Sequence, residues 1–82
     1  MSKPSNEELI KALNAAGSAH HDYEAKFLKG KRDEFWAGWY ASYVLGRLGD
    51  FATPSDLTNW LTQAPSSDDW FKSAAQYISE RL

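Results

Sequence analysis

"EFWAGWYASYVLGRLG", residues 34–49, decides the fold. No strand-like alternation of apolar and polar residues runs through it. At helical spacing, Phe35, Trp36, Trp39, Tyr40, Tyr43, Val44, Leu45 and Leu48 spread over most of the circumference. That pattern predicts a central helix covered on more than one side. Asp33 stands where a helix wants a capping oxygen, and Gly49 where a positive φ ends one. Gly38 and Gly46 would let neighbouring elements come close to the backbone.

Upstream, "PSNEE" pairs Ser5 as cap with Glu8 three residues on, the spacing of a capping box, so a helix is expected from near Asn6. Leu9, Leu13, Ala16, His20, Tyr23 and Phe27 step by three and four and line one face as far as about Leu28. Glycine costs a helix interior about 1 kcal/mol relative to alanine, yet the phase continues through Gly17 and predicts one unbroken helix. "KGKR", residues 29–32, ends it, with Gly30 free to turn the chain. Downstream, "TPSD" supplies Thr53 as cap, Pro54 at the first helical position and Asp56 three residues after the cap. Leu57, Trp60 and Leu61 follow as a short apolar face, and Pro65 stops it. "SSDD" then opens a last helix, with Ser66 or Ser67 as cap and Trp70, Phe71, Ala74, Tyr77, Ile78 and Leu82 facing inward. The expected fold is all-α: a single compact four-helix domain over residues 1–82, with residues 1–4 a flexible lead.

An echo at an offset of 34 residues joins the two halves. Trp36, Ala41, Tyr43, Arg47 and Leu48 return as Trp70, Ala75, Tyr77, Arg81 and Leu82, and Val44 is answered by Ile78. The chain can therefore be read as two helix-turn-helix units. With Trp36, Trp39, Tyr43 and Ala52, then Trp70, Ala74 and Tyr77, the unit resembles a tetratricopeptide repeat, from which it departs at Tyr40, Asp56, Asn59 and Pro65. A second resemblance spans residues 20–44. "HHDYE" followed by "WAGWYASYV" is similar to small bacterial proteins of unassigned function that carry a His-His-x-Tyr-Glu segment before a Trp-x-x-Trp-Tyr-Ala helix. It implies a helical fold and bacterial origin, and no activity.

Composition narrows the function. The 82 residues include no cysteine, so disulfides and thiolate metal sites are out of reach. A net charge of −2 gives no general electrostatic reason to approach nucleic acid. No apolar run reaches the roughly 20 residues of a membrane span, and "MSKPSNEE" lacks the apolar stretch of a signal peptide. A cytoplasmic protein is expected, without nucleic-acid or membrane partners.

"SAHHDYEAKF", residues 18–27, concentrates the reactive side chains. His20 and Glu24 are four apart, and His21 and Glu24 three apart, so His20, His21 and Glu24 could offer metal ligands, with Asp33, Glu34 or Asp50 completing the set. A histidine beside a carboxylate could also act as a general base. No nucleophile signature or phosphate loop accompanies them, and no cofactor is implied. On the packing alternative His20 shares the apolar seam and its ring packs against Trp36, Trp39 or Tyr40, while His21 and Asp22 face water. Lys26, Lys29, Lys31 and Arg32 complement the end of the first helix's dipole. Four Trp, four Tyr and four Phe exceed what a core of this size must bury. That excess points to a non-enzymatic module that binds a protein partner or itself through an aromatic surface, with Trp39, Tyr40 and Trp60 joining His20, His21 and Glu24 as candidate contacts. Metal or small-molecule binding through His20, His21 and Glu24 is the alternative.

Overall fold

Ser5 Oγ accepts the Glu8 backbone N–H at 3.0 Å while the Glu8 carboxylate accepts the Ser5 N–H at 2.9 Å. This complete capping box starts α1 (Asn6–Phe27). The computed structural model describes residues 3–82, so residues 1 and 2 of the expected N-terminal lead lie outside the described residues. α1 runs unbroken through Gly17, whose missing side chain has a reason. A Cβ there would sit 2.8 Å from Phe71 Cζ and 3.3 Å from the Tyr40 hydroxyl. After α1 the chain turns through Lys29 and Gly30, both at positive φ.

α2 (Trp36–Leu48), α3 (Pro54–Gln63) and α4 (Trp70–Arg81) complete an all-α, four-helix domain, with no strand among the described residues. Thr53 caps α3 by accepting the Asp56 N–H, and Pro54 occupies its first position. Ala64, at ψ 136°, ends α3 because the following Pro65 excludes helical backbone. Two expected caps are corrected. α4 is capped by Asp69, which accepts the Lys72 N–H at 3.2 Å, and not by Ser66 or Ser67. α2 begins at Trp36 behind Phe35, which offers no capping side chain, because Asp33 is engaged elsewhere.

The helices form a ring in which α1 packs on α2 and α4, and α3 on the same two. α2 is covered on two sides, by α1 and α3, as its apolar circumference predicts. The fully buried core is aliphatic: Leu9, Leu13, Val44, Leu57, Leu61 and Ile78, spaced by Ala12, Ala16, Ala37, Ala41, Ala74 and Ala75. Alanines at the centre let four backbones approach closely. The large rings cannot fit between them and form a half-buried shell. Trp36 and Tyr43, expected inside, belong to that shell, as do Trp70, Phe71, Tyr77 and Leu82. Phe27 and Phe35 leave it altogether, at 73% and 83% exposure. The diagonal helices α2 and α4 meet where the Trp36 and Trp70 rings cross at 76°, with centroids 5.5 Å apart.

Candidate interaction site

The end of α1 and the start of α2 are joined by a polar latch. Its centre is His20, at 5% exposure the buried polar residue of the core. Its ring lies among Trp39, Tyr40 and Tyr23, with centroids 5.0, 5.3 and 6.0 Å away. His20 Nε2 meets Asp33 Oδ2 at 2.9 Å, and because an ionised carboxylate only accepts, Nε2 carries the proton. On the other side of the ring, Nδ1 is 3.7 Å from Glu24 Oε1. Glu24 Oε2 in turn accepts the Asp33 backbone N–H at 2.8 Å. The main-chain carbonyl of Glu24 accepts the N–H groups of Leu28 and Gly30. One residue therefore ends α1 and, together with His20, fixes where the linker returns. Asp33 spends its remaining oxygen on the Phe35 N–H at 2.9 Å, which turns the chain into α2 and places Phe35 outward.

The electrostatics follow from these contacts. The His20 hydrogen bond holds the Asp33 carboxyl below its ordinary pKa; the Phe35 N–H adds to this, while desolvation opposes it. Burial pushes the Tyr40 hydroxyl above its ordinary value, and the negative charge of Glu24 adds to the shift. Every buried side-chain nitrogen and oxygen among the described residues has a partner.

Beside the latch runs an open trough of about 610 Å³, lined by Tyr23, Asp33, Phe35, Gly38, Trp39, Ser42 and Tyr43. Tyr23, Trp39 and Tyr43 form its aromatic wall, and Phe27 extends their row beyond it. Phe27 packs on Tyr23 at 5.6 Å, Tyr23 on Trp39 at 5.7 Å, and Trp39 on Tyr43 at 5.7 Å with planes within 14°. Phe35 also lines the trough and pairs with none of these rings. It also lines a second depression, of about 270 Å³, which shares Gly38 and reaches Thr58 and Thr62 of α3.

The sequence-derived candidates are thus divided. His20, Glu24, Trp39 and Tyr40 come together, whereas His21 is exposed and takes no part in the latch. Trp60 is half-buried on α3 against the core and lines neither depression. Among the described residues no group of three or more His, Asp or Glu side chains is arranged to hold a metal ion. A shallow polar depression of about 280 Å³ is lined by His20, Glu24, Arg32, Asp33, Trp36 and Tyr40. The carboxylates there are already held by the latch. The sequence reading missed Phe35 and Gly38 as members of the trough. Their signal was an apolar ring at a cap position and a glycine inside a helix.

Comparison with protein-family models, with curated proteins and with solved structures returned no match. No helix among the described residues is long and apolar enough to cross a membrane.

Proposed function

We propose that this protein is a non-enzymatic interaction module whose aromatic trough binds a protein surface, with Phe35, Trp39, Tyr43 and Tyr23 as its contact residues. The observation that carries this reading is Phe35: a phenylalanine 83% exposed, at the N-cap of a helix, where an oxygen-bearing side chain would stabilise the fold. Exposed rings clustered on one open surface mark interaction sites, and aromatic residues supply most of the binding energy at such sites. The latch supports the same reading in a positioning role. By spending Asp33 on His20 and on the Phe35 N–H, the chain gives up the α2 cap and sets the ring at the edge of the trough. "HHDYE" and "WAGWYASYV", the segments that resemble small bacterial proteins of unassigned function, are the ones that build the latch and the trough.

A photo-crosslinking residue in place of Phe35, in the cells that make the protein, tests the reading. A discrete protein adduct that disappears when Gly38→Gln fills the trough is expected. Absence of any adduct, or an adduct indifferent to Gly38→Gln, would overturn it.

A further inference from the structure

A clasp between α1 and the linker needs one donor and one acceptor, which His20 Nε2 and Asp33 Oδ2 supply at 2.9 Å. A second acceptor waits on the other side of the ring. Glu24 Oε1 lies 3.7 Å from Nδ1, an ion-pair distance but longer than a hydrogen bond. With Nε2 protonated, a neutral imidazole turns a lone pair toward this oxygen, and only the imidazolium has a donor there. The ring is buried and both carboxylates are half-buried, so water screens their charges less than it would at the surface.

The other groups around the ring leave the second carboxylate unanswered. From α1 the ring meets Tyr23 beside Glu24, and from α2 it meets Trp39 and Tyr40. The Tyr40 hydroxyl, pushed above its ordinary pKa by burial and by the charge of Glu24, stays neutral. From the linker, Arg32 lines the same depression as Asp33, yet among the described residues the ion pairs of Glu24 and Asp33 are those with His20. Neither α3 nor α4 contributes a residue to the depression. Two carboxylates therefore face one ring that brings them no positive charge until it takes up a proton.

We infer that His20 is a proton-operated latch: uptake of one proton at Nδ1 draws Glu24 Oε1 onto the ring and fixes the linker, and with it Phe35, against α1. The path to Phe35 is short. Glu24 Oε2 accepts the Asp33 N–H at 2.8 Å, and Asp33 Oδ1 accepts the Phe35 N–H at 2.9 Å. A Glu24 carboxylate held at both oxygens grips the Asp33 main chain more firmly, and a charge-assisted bond from Nε2 does the same for the Asp33 side chain. The inference rests on the interaction reading for what is regulated: the trough is organised for its partner when His20 is protonated and loosened when it is neutral.

NMR of the ¹⁵N-labelled protein between about pH 8 and about pH 5, the range in which histidine charge changes, tests the inference. Asp33, held below its ordinary pKa by the His20 hydrogen bond, keeps its charge throughout this range. The ring nitrogen shifts of His20 report which nitrogens carry protons, with the exposed His21 as reference in the same spectra. As Nδ1 gains its proton, protection of the Asp33 and Phe35 amides, relative to their intrinsic exchange rates, should rise about tenfold, the weight of one hydrogen bond to a charged group. The Asp56 amide, held by the Thr53 cap of α3, should not respond. Glu24→Gln keeps an oxygen for the Asp33 N–H and adds an N–H that a neutral Nδ1 accepts, so both amides should be protected across the whole range. His20→Gln, verified as folded by circular dichroism, should abolish the pH response. Flat protection of the two amides in the wild type, or a Glu24→Gln protein that keeps the wild-type response, would overturn the inference. The residue-35 crosslink decides the interaction reading separately. An adduct with flat amides would leave that reading standing and sink the latch, and responsive amides without an adduct would do the reverse.

Discussion

α2 and α4 share a framework and differ in what they do with their outer positions. Where α4 has Asp69, an N-cap oxygen on the Lys72 N–H, α2 has Phe35, which caps nothing and is 83% exposed. Where α4 has Lys72, Gln76 and Glu80, α2 has Gly38, Ser42 and Gly46. The Arg81 guanidinium lies over the Tyr77 ring, whereas the Tyr43 ring stacks on Trp39 and lines the trough. Each difference moves α2 away from what stabilises an isolated helix and toward what another protein can touch.

The comparison requires the shared framework to be energetically equivalent in the two halves. Truncating buried aliphatic side chains removes transfer energy and leaves cavities, so Leu13→Ala in the first half and Ile78→Ala in the second should each cost about 2–5 kcal/mol by urea denaturation. A near-neutral result at either position would mean that its half does not share the core. Glycines give the next largest contrast. Gly17→Ala drives a methyl to 2.8 Å from Phe71 Cζ and should destabilise by about 1–3 kcal/mol. Gly38→Ala adds a methyl where nothing lies within 4 Å and should stabilise the monomer by up to about 1 kcal/mol. Thermal melts at low protein concentration measure both, and equal signs would remove the distinction between a packing glycine and a surface one.

Features set by local chemistry were legible in the sequence. Ser5 with Glu8 and Thr53 with Pro54 start helices where their spacing predicts, because a cap bonds only within its own first turn. The phase of α1 placed His20 inside for the same reason. Caps that depend on distant contacts were not legible. Asp33 looks like an N-cap until His20, 13 residues away, takes one of its oxygens. Asp69 is a local cap, but Ser66, Ser67, Asp68 and Asp69 in a row are four residues of capping type, and their order does not say which one the chain uses. The aromatic pattern misled in a related way. Ring positions on α2 have core phase, but a four-helix ring closed on alanines leaves no central room for large rings, so Trp36, Tyr40 and Tyr43 surround the core instead of filling it.

Caps offer a smaller and sharper test. Asp69→Ala should cost about 1 kcal/mol, the usual worth of a side-chain cap. Phe35→Asp installs at α2 the arrangement that α4 has, with an oxygen placed to accept the Gly38 N–H. It should therefore stabilise the monomer by about 0.5–1 kcal/mol while abolishing the contacts made by the exposed ring. Loss of stability on Phe35→Asp would show that the ring serves the fold after all, and the contrast between the helices would then lose its functional meaning.

The smallest expected effect is confined to acid and isolates the latch. Asp33 is held below its ordinary pKa first by the His20 hydrogen bond and then by the Phe35 N–H, against desolvation. A carboxyl whose folded pKa is depressed contributes stability in full above its unfolded value of about 3.9 and loses it as pH falls through the folded value, so the window lies below about pH 4. Glu8, depressed first by its bond from the Ser5 backbone N–H and then by the Ser5 side chain, acts in the same window and with the same sign. Stability measured by urea denaturation from neutral pH into this acid range should therefore fall, and Asp33→Asn should flatten part of that fall while Glu8→Gln flattens another part. The two differ in their local signature. Protonating Asp33 weakens its hold on the linker, so protection of the Phe35 amide from exchange, relative to its intrinsic rate, should fall in acid in the wild type and be lost at all pH values in Asp33→Ala, which has no acceptor oxygen, with the amides at the start of α1 unaffected. A Phe35 amide equally protected in the wild type and in Asp33→Ala would show that the linker is held by the aromatic packing alone and that Asp33 positions nothing.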